Sequence, residues 1–483
     1  MESSYQKFAK DIIIIGSTQL LVAVSALILL PLLTKTLGAH DYGIWIQANV
    51  TIELIIAFVG LGLPLAMIRF LAAESKREEI QEGFYSVFSL VFLVSLIISS
   101  IMIAFPGFIA RSFFEGATEI VRIVGFIILV WSLDGVFLHL FRTFREIGMY
   151  SIFMLARAYG ELGLIAYLVL SGHGIFSVVL SVLAIRAALF LFLLPLIKSK
   201  IGIKIPNFSR IKEYLNFGLP SVPGAISAWV VTSSDRYVIG YFLGAASVGV
   251  YSAGYNLGNI PFMIAMVLAI VLPPTLSKLY DEGRINEVKT HLSYSLKYFL
   301  ALVIPFVCGA AMLSEPVLRI FSTREIASEA YFIVPLVALS TLFFGIRVVI
   351  AQILILVKKT KITGIVWIIA ASVNLLLNIL IIPHLGILGA AITTLIAYSL
   401  ALGIVSYYSF KEFKFSIEWS FIIKSLIASA IMSLVIWRIA PVGTLGVILT
   451  IVAGVIIYGV ILLFLKGCKK QEIRFFKGLF RKA

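Results

Sequence analysis

The sequence predicts an all-α polytopic membrane protein with about fourteen transmembrane helices: two six-helix lobes in parallel repeat plus two extra helices. Three observations predict it. The composition is too apolar for a soluble core, the apolar runs are continuous over a bilayer's width, and sequence features recur after six such runs. Of the 483 residues, 61% are hydrophobic and only 13% charged, with a mean hydropathy of +1.07. A soluble domain is about half apolar and a quarter charged, so lipid must solvate most of this surface. Runs such as IIIIGSTQLLVAVSALILLPLL and VILTIVAGVIIYGVILLFL are helical in length, whereas barrel strands alternate over about 10 residues.

Hydropathy places the spans at 12–35, 42–68, 83–104, 120–141, 150–170, 175–196, 214–242, 249–276, 293–314, 329–356, 363–382, 387–410, 419–438 and 444–465. The first run lacks a small-residue cleavage site and reads as an uncleaved helix. The net charge of +15 follows position, not nucleic acid. With the first loop outside, about 27 of the 39 Lys and Arg fall on the side shared by both termini, about 6 opposite and about 6 within spans. The basic clusters KSKIGIKIPNFSRIK, VKKTK and KGCKKQEIRFFKGLFRK then lie inside, against anionic lipid. The expected location is the cytoplasmic or inner membrane, multi-pass, with both termini cytoplasmic.

Leu37-Gly38-Ala39 with Gly43 recurs as Leu243-Gly244-Ala245 with Gly249. In the same order, Pro64 and Arg69 match Pro273 and Lys278, Tyr85-Ser86 matches Tyr294-Ser295, and Gly174-Ile175 matches Gly386-Ile387. An offset of six spans is even, so both halves enter from the same side and form a parallel repeat. The expected lobes are residues 1–200 and 214–410, with a cytoplasmic linker at 201–213. Residues 411–483 hold the two added spans and a basic tail. Prolines such as Pro31, Pro64, Pro273 and Pro305 mark kinks where lobes could bend.

These motifs, LLTKTLGAHDYGIW at 32–45, GLGLPLAMIRFLAAE at 60–74, SSDRYVIGYFLGAASVGVYSAGY at 233–255 and LGILGAA at 385–391, carry a resemblance across nearly the whole chain. It resembles the polysaccharide-transporter branch, with its lipid-linked oligosaccharide (O-antigen-type) flippases, of the multidrug/oligosaccharidyl-lipid/polysaccharide flippase superfamily. The resemblance implies alternating-access export of a polyprenyl-(pyro)phosphate-linked oligosaccharide to the outer leaflet for cell-surface polysaccharide synthesis. A glycan polymerase or glycosyltransferases would be partners. A cation-coupled multidrug exporter of the same superfamily is the alternative.

Charged residues at mid-helix cost about 2.5–3.5 kcal/mol on insertion scales and usually face a bundle interior or a wet cavity. Here they are Glu53 on span 2, Asp134 on span 4, Arg157 and Glu161 on span 5 and Arg186 on span 6. The second half has Asp235 and Arg236 on span 7, Lys297 on span 9 and Arg347 on span 10. Substrate-cavity candidates are Arg347, Arg186, Arg157, Arg69, Arg236, Lys297, Asn374 and Asn378. The arginines suit a pyrophosphate, which their planar fork bonds bidentately. The amides could bond sugar hydroxyls, although interhelical bonding is their commoner use. Glu53, Asp134, Asp235 and Glu161 are the coupling-ion candidates.

Each candidate also has a structural reading. Arg157 and Glu161, four apart, share a helix face and could neutralise each other. Asp235 and Arg236 are adjacent and point apart on a helix, which sends at least one of them to a partner elsewhere. Lys297 is near enough to the inner surface to snorkel. Arg69 sits where positive-inside placement alone explains it. Arg186 and Arg347 are too deep for escape and read as cavity-facing.

Catalysis and cofactors are not expected. The sequence lacks GxxxxGK[ST], the mark of a P-loop. His40, His139, His173, His291 and His384 are scattered without ligand spacing, as are Cys308 and Cys468, so neither a metal nor a disulfide is expected. Cys468 near the membrane reads as an inert thiol, with acylation the alternative. A membrane-embedded polymerase or ligase would need an acid/base cluster on an external loop, which short loops here do not carry. The membrane potential is sufficient in sign to drive export, since about two negative charges moving outward gain roughly 5 kcal/mol per 100 mV.

Overall fold

The computed structural model describes residues 4–467 except Ala73 and Ser75; Cys468 and the basic tail lie outside them. Among the described residues the regular structure is entirely helical. The first half holds α1 (Ser4–Val59), α2 (Leu63–Leu71), α3 (Arg77–Ala104), α4 (Pro106–Phe113), α5 (Thr118–Thr143), α6 (Ile147–Leu170) and α7 (Ile175–Ile201). Next come α8 (Ile211–Gly218), α9 (Val222–Leu243), α10 (Ala245–Gly258), α11 (Ile260–Asp281), α12 (Ile285–Phe321), α13 (Arg324–Ala330) and α14 (Ile333–Leu356). The chain continues with α15 (Thr360–Glu412), α16 (Trp419–Ile439) and α17 (Gly443–Phe464).

Eleven of these helices are long and apolar enough to cross a membrane. About 20 residues suffice for one crossing, so α1 and α15, with 56 and 53 residues, are each two spans. Both fold back at a glycine in left-handed territory, Gly38 at φ 79° and Gly386 at φ 61°, where a Cβ would be strained. The remaining crossing is α9, whose Ser233-Ser234-Asp235-Arg236 stretch lowers its hydropathy. The sum is the predicted number of about fourteen. Where hydropathy draws an unbroken span over 42–68, the structure turns at Gly60-Leu61-Gly62 before α2.

The repeat is visible in the backbone. Gly38 (φ 79°, ψ −177°) and Gly244 (φ 85°, ψ 171°) occupy the same position of the Leu-Gly-Ala motif in nearly the same conformation. The two motifs also pack together. A Cβ on Gly43 would strike the backbone of Ala245, and one on Gly249 the backbone of Ala39, so each helix start needs a glycine opposite it.

By internal contact the chain forms two compact units, divided between Ser252 and Ala253, with Asn378–Gly386 joining the first. The first unit thus includes α9. There Gln47 donates to the Arg236 carbonyl (3.2 Å), Trp229 to the Val50 carbonyl (3.2 Å), and Thr51 shares a hydrogen bond with Tyr237 (2.5 Å). Its core holds a stacked row in which the Phe137 ring lies 5.4 Å from Phe88 and 5.3 Å from Phe190. The segment after α7 is tied to α3: Gln81 donates to the Ile201 carbonyl, Tyr85 to that of Gly202 (2.6 Å), and Glu82 accepts from the Asn207 amide. In the second unit α12 packs against α11, α14 and α16, with the Phe299 ring filling the space a side chain on Gly345 would need. The added pair α16 and α17 is pinned by Ser425 and Tyr458 (2.9 Å).

Candidate functional site

Two buried charge sites stand out, one in each unit. In the first, α5 carries Trp131 and Asp134 three residues apart, hence on one face. α6 brings Arg157 and Glu161, and α7 brings Arg186. The Arg186 Nε lies 3.0 Å from Glu161 Oε1 and its Nη1 3.8 Å from Asp134 Oδ2; Arg157 Nη1 is also 3.8 Å from Asp134 Oδ2. The Arg186 guanidinium sits 3.2 Å from the Trp131 ring centroid, with Arg157 at 5.7 Å. Two cations and two carboxylates around an indole leave the cluster balanced. The angles are poor: Glu161 Oε1 and the Arg186 Nε and Nη1 have no hydrogen-bond partner, so the contacts are Coulombic rather than aligned N–H···O bonds.

Two expectations change here. Arg157 and Glu161 do not pair along their shared face. Arg157 reaches Asp134 and the Met154 sulfur (3.1 Å), and Glu161 reaches Arg186, because pairing within α6 would strand the charges on α5 and α7 in a low-dielectric interior. Arg186 is not open to a cavity; it is 2% exposed and walled by acids.

In the second unit, Arg347 on α14, 7% exposed, is enclosed by a different kind of wall. Its guanidinium lies 4.5 Å from the Trp367 ring centroid and 5.2 Å from that of Phe344. Tyr398 completes the box, 5.4 Å from Phe344 and 6.5 Å from Trp367. Arg347 Nε has no hydrogen-bond partner, and among the described residues no carboxylate stands within ion-pair distance of this side chain. The aromatic faces supply partial compensation only, about 2 kcal/mol when desolvated. A buried cation without a counter-charge attracts an anion.

The remaining candidates are placed as follows. Asp235 and Arg236 do meet, against expectation. The flexible Arg236 stem curls back so that Nη1 reaches Asp235 Oδ1 (2.6 Å) and the Thr232 carbonyl (2.5 Å), while Tyr251 donates to Asp235 Oδ2 (2.5 Å). Lys297 does not snorkel: it is 3% exposed and meets Glu418 at 2.8 Å. The acid comes from the segment before α16, a partner that span prediction left in a loop. Glu53 and Arg69 are exposed, and Asn374 and Asn378 are fully buried. The sequence reading missed Trp131, Phe344, Trp367 and Tyr398. The signal for two of them was available, since Trp131–Asp134 and Phe344–Arg347 are both i,i+3 pairs; the others come from α15 and depend on packing.

Comparison with known proteins supplies the family. Two relatives from Haloferax volcanii, "Probable low-salt glycan biosynthesis flippase Agl15" and "Probable flippase AglR", are each 24% identical over 240 and 246 residues. These alignments cover 49% and 50% of this chain and 50% and 52% of the relatives, so the chain spans about half the length of the curated relatives it matches. The fold matches a structure titled "Lipid II flippase MurJ, inward closed conformation", with a TM-score of 0.79 at 20% identity, over 94% of this chain and 99% of that one. It also matches an inward-facing multidrug resistance MATE family transporter of the MOP superfamily, with a TM-score of 0.70 at 16% identity over 81% and 94%. A model described as polysaccharide biosynthesis protein matches residues 32–330; that is more than half of this chain of membrane-spanning helices, and the protein belongs to that family.

Proposed function

We propose that this protein is a flippase that moves a polyprenyl-(pyro)phosphate-linked oligosaccharide from the cytoplasmic to the outer leaflet by alternating access of two lobes, residues 1–200 and 214–410. The observation that carries this reading is Arg347, a buried cation in an aromatic box without a carboxylate partner among the described residues. Burying a charge unpaired is costly, and a substrate phosphate offsets that cost each time it binds. Guanidinium is the side chain best shaped for it, since its fork meets two phosphate oxygens at once. The named flippases among the relatives and the family's description point the same way. Partner glycosyltransferases or a polymerase would supply and consume the glycan.

The balanced cluster of Asp134, Glu161, Arg157 and Arg186 has a different part in this proposal. Its carboxylates can take up a proton only by releasing an arginine, which makes it the coupling candidate, beside Glu53 and Asp235. A cation-coupled multidrug exporter is the second reading, favoured by the MATE likeness of the fold and by the acids beside Trp131. The phosphate chemistry separates the two. In proteoliposomes with a lipid-linked oligosaccharide, Arg347→Ala should lower translocation at least tenfold at unchanged membrane abundance, while Arg347→Lys keeps charge without the fork and retains part of it. Wild-type translocation by a well-folded Arg347→Ala protein would remove the phosphate site. Export of organic cations without glycan translocation by the unaltered protein would establish the second reading.

A further inference from the structure

A hollow of about 1070 Å³ runs along α15 in the second unit, between its two arms and beside α14. Its walls include Phe343, Ile365, Ile396, Ser399, Gly403 and Tyr407. From Leu395 to Tyr408 it follows the second arm for about 20 Å at 1.5 Å per residue, roughly the depth of one leaflet and part of the next. Almost every lining group is apolar, and Ile365 and Tyr407 are more than half exposed in it. One end differs. There the Lys411 ammonium stands 4.2 Å from the Tyr407 ring centroid and 5.9 Å from that of Tyr408. The neighbouring Glu412 is engaged by Lys359 at 2.7 Å, so its charge is already matched. Residues at the other end adjoin the Arg347 box along the chain: Phe343 precedes Phe344, Val366 precedes Trp367, and Ser399 follows Tyr398.

We propose that this groove is a loading site for a polyprenyl phosphate, with the phosphate on Lys411 and a single isoprenoid chain laid along the two arms of α15. The assignment of an isoprenoid rests on the flippase reading above; the groove and its charged end do not. An apolar track with a cation and two tyrosines at its mouth is complementary to an anionic lipid whose head stays at the surface. Ser399 and Gly403 are the smallest residues of its wall. Lipid seated there would lie with its tail pointing at the helices that hold Arg347, so loading and head-group transfer would share α14 and α15.

Gly403 provides the test. A Cβ there meets nothing within 4 Å, so a large side chain enters the groove without displacing backbone. A polyprenyl monophosphate carrying a photoreactive diazirine in its tail is incubated with the full-length protein in nanodiscs, and cross-linked peptides are mapped by mass spectrometry. Labelling should concentrate in 362–369 and 395–408 and fall at least tenfold in Gly403→Trp and in Lys411→Glu, with Gly403→Leu intermediate. Unlabelled polyprenyl phosphate should compete and phosphatidylglycerol should not. Undiminished labelling in both Gly403→Leu and Lys411→Glu would overturn the site, as would equal competition by phosphatidylglycerol, which would make the groove an ordinary lipid furrow. Glycan translocation is measured in parallel. If the unaltered protein labels as expected yet moves no lipid-linked glycan, the flippase reading fails while the lipid site stands. If it translocates normally and the groove variants label like wild type, the loading site alone fails.

Discussion

Arg186 and Arg347 are both deeply buried guanidiniums, and what surrounds each decides how it responds to substitution. Arg186 holds two carboxylates and covers an indole, so removing it strands Glu161 in the interior and leaves Asp134 to Arg157 alone. Arg186→Met should destabilise the protein by about 3–5 kcal/mol, read as a lower unfolding temperature in detergent. Arg186→Met with Glu161→Gln should recover much of the loss, because an uncharged pair needs no counterion. A double variant no better than the single one would show that the indole contact, not the carboxylates, holds Arg186. Arg347 has no acid to strand, so its replacement should spare stability and act on transport.

Elements in this chain are joined by contacts that leave little room for side chains. The Gly43–Gly249 approach clamps the turn inside α1 to the α9–α10 turn, and a polar bridge reinforces it. His40 contacts Asp41 (3.0 Å) and Glu115 (2.8 Å), and Glu115 accepts from the Ala245 amide (2.5 Å). The Asp41 carboxylate, with Glu115 behind it, raises the His40 pKa above its ordinary 6.5, while the Ala245 amide lowers that of Glu115. A raised imidazole stabilises the closed turn fully below about pH 6.5, and that contribution is lost as pH climbs through the raised value. A cysteine introduced at Ser247 in a Cys308→Ser, Cys468→Ser background should therefore label faster at pH 8 than at pH 5.5 once each rate is divided by that of a free thiol at the same pH, and His40→Gln should abolish that remaining difference. Identical pH profiles for the two proteins would exclude His40 as the switch. The effect should be modest, since the imidazole is half exposed and solvent screens it.

For the molecule as a whole, the distribution of Lys and Arg predicts that one face, including the segment after α7 and that between α15 and α16, meets the cytoplasm. Ile205 is 89% exposed, and Lys414 is exposed in the second segment. Single cysteines at either position should resist a membrane-impermeant maleimide in intact cells and react once the cells are opened. Rapid labelling from outside would invert the topology. The same experiment at Ser247 should give the opposite result, because it lies in the α9–α10 turn that pairs with the α1 turn.

By itself, the sequence determined the solvent, the helical class, the number of crossings and the repeat. These follow from properties of adjacent residues: runs of apolar side chains that only lipid can solvate, glycines where the chain must reverse, and a motif that recurs at Gly38 and Gly244. It also located Asp134, Arg186, Asp235, Arg236, Lys297 and Arg347, since a charge inside an apolar run is visible without coordinates, but it passed over Glu82, which is buried at the edge of a run by its bond to the Asn207 amide. Tertiary structure decided who meets whom. Helix periodicity pairs Arg157 with Glu161, but three helices packed around Trp131 offer each a better partner. Adjacent residues on α9 point apart at Cβ, yet the long Arg236 stem returns to Asp235. Lys297 finds Glu418 across more than a hundred residues, and Arg347 acquires its box from both arms of α15. Such pairings depend on the low dielectric between packed helices, where a charge takes the nearest available counterpart in space, and nearness in space is what a linear pattern does not contain.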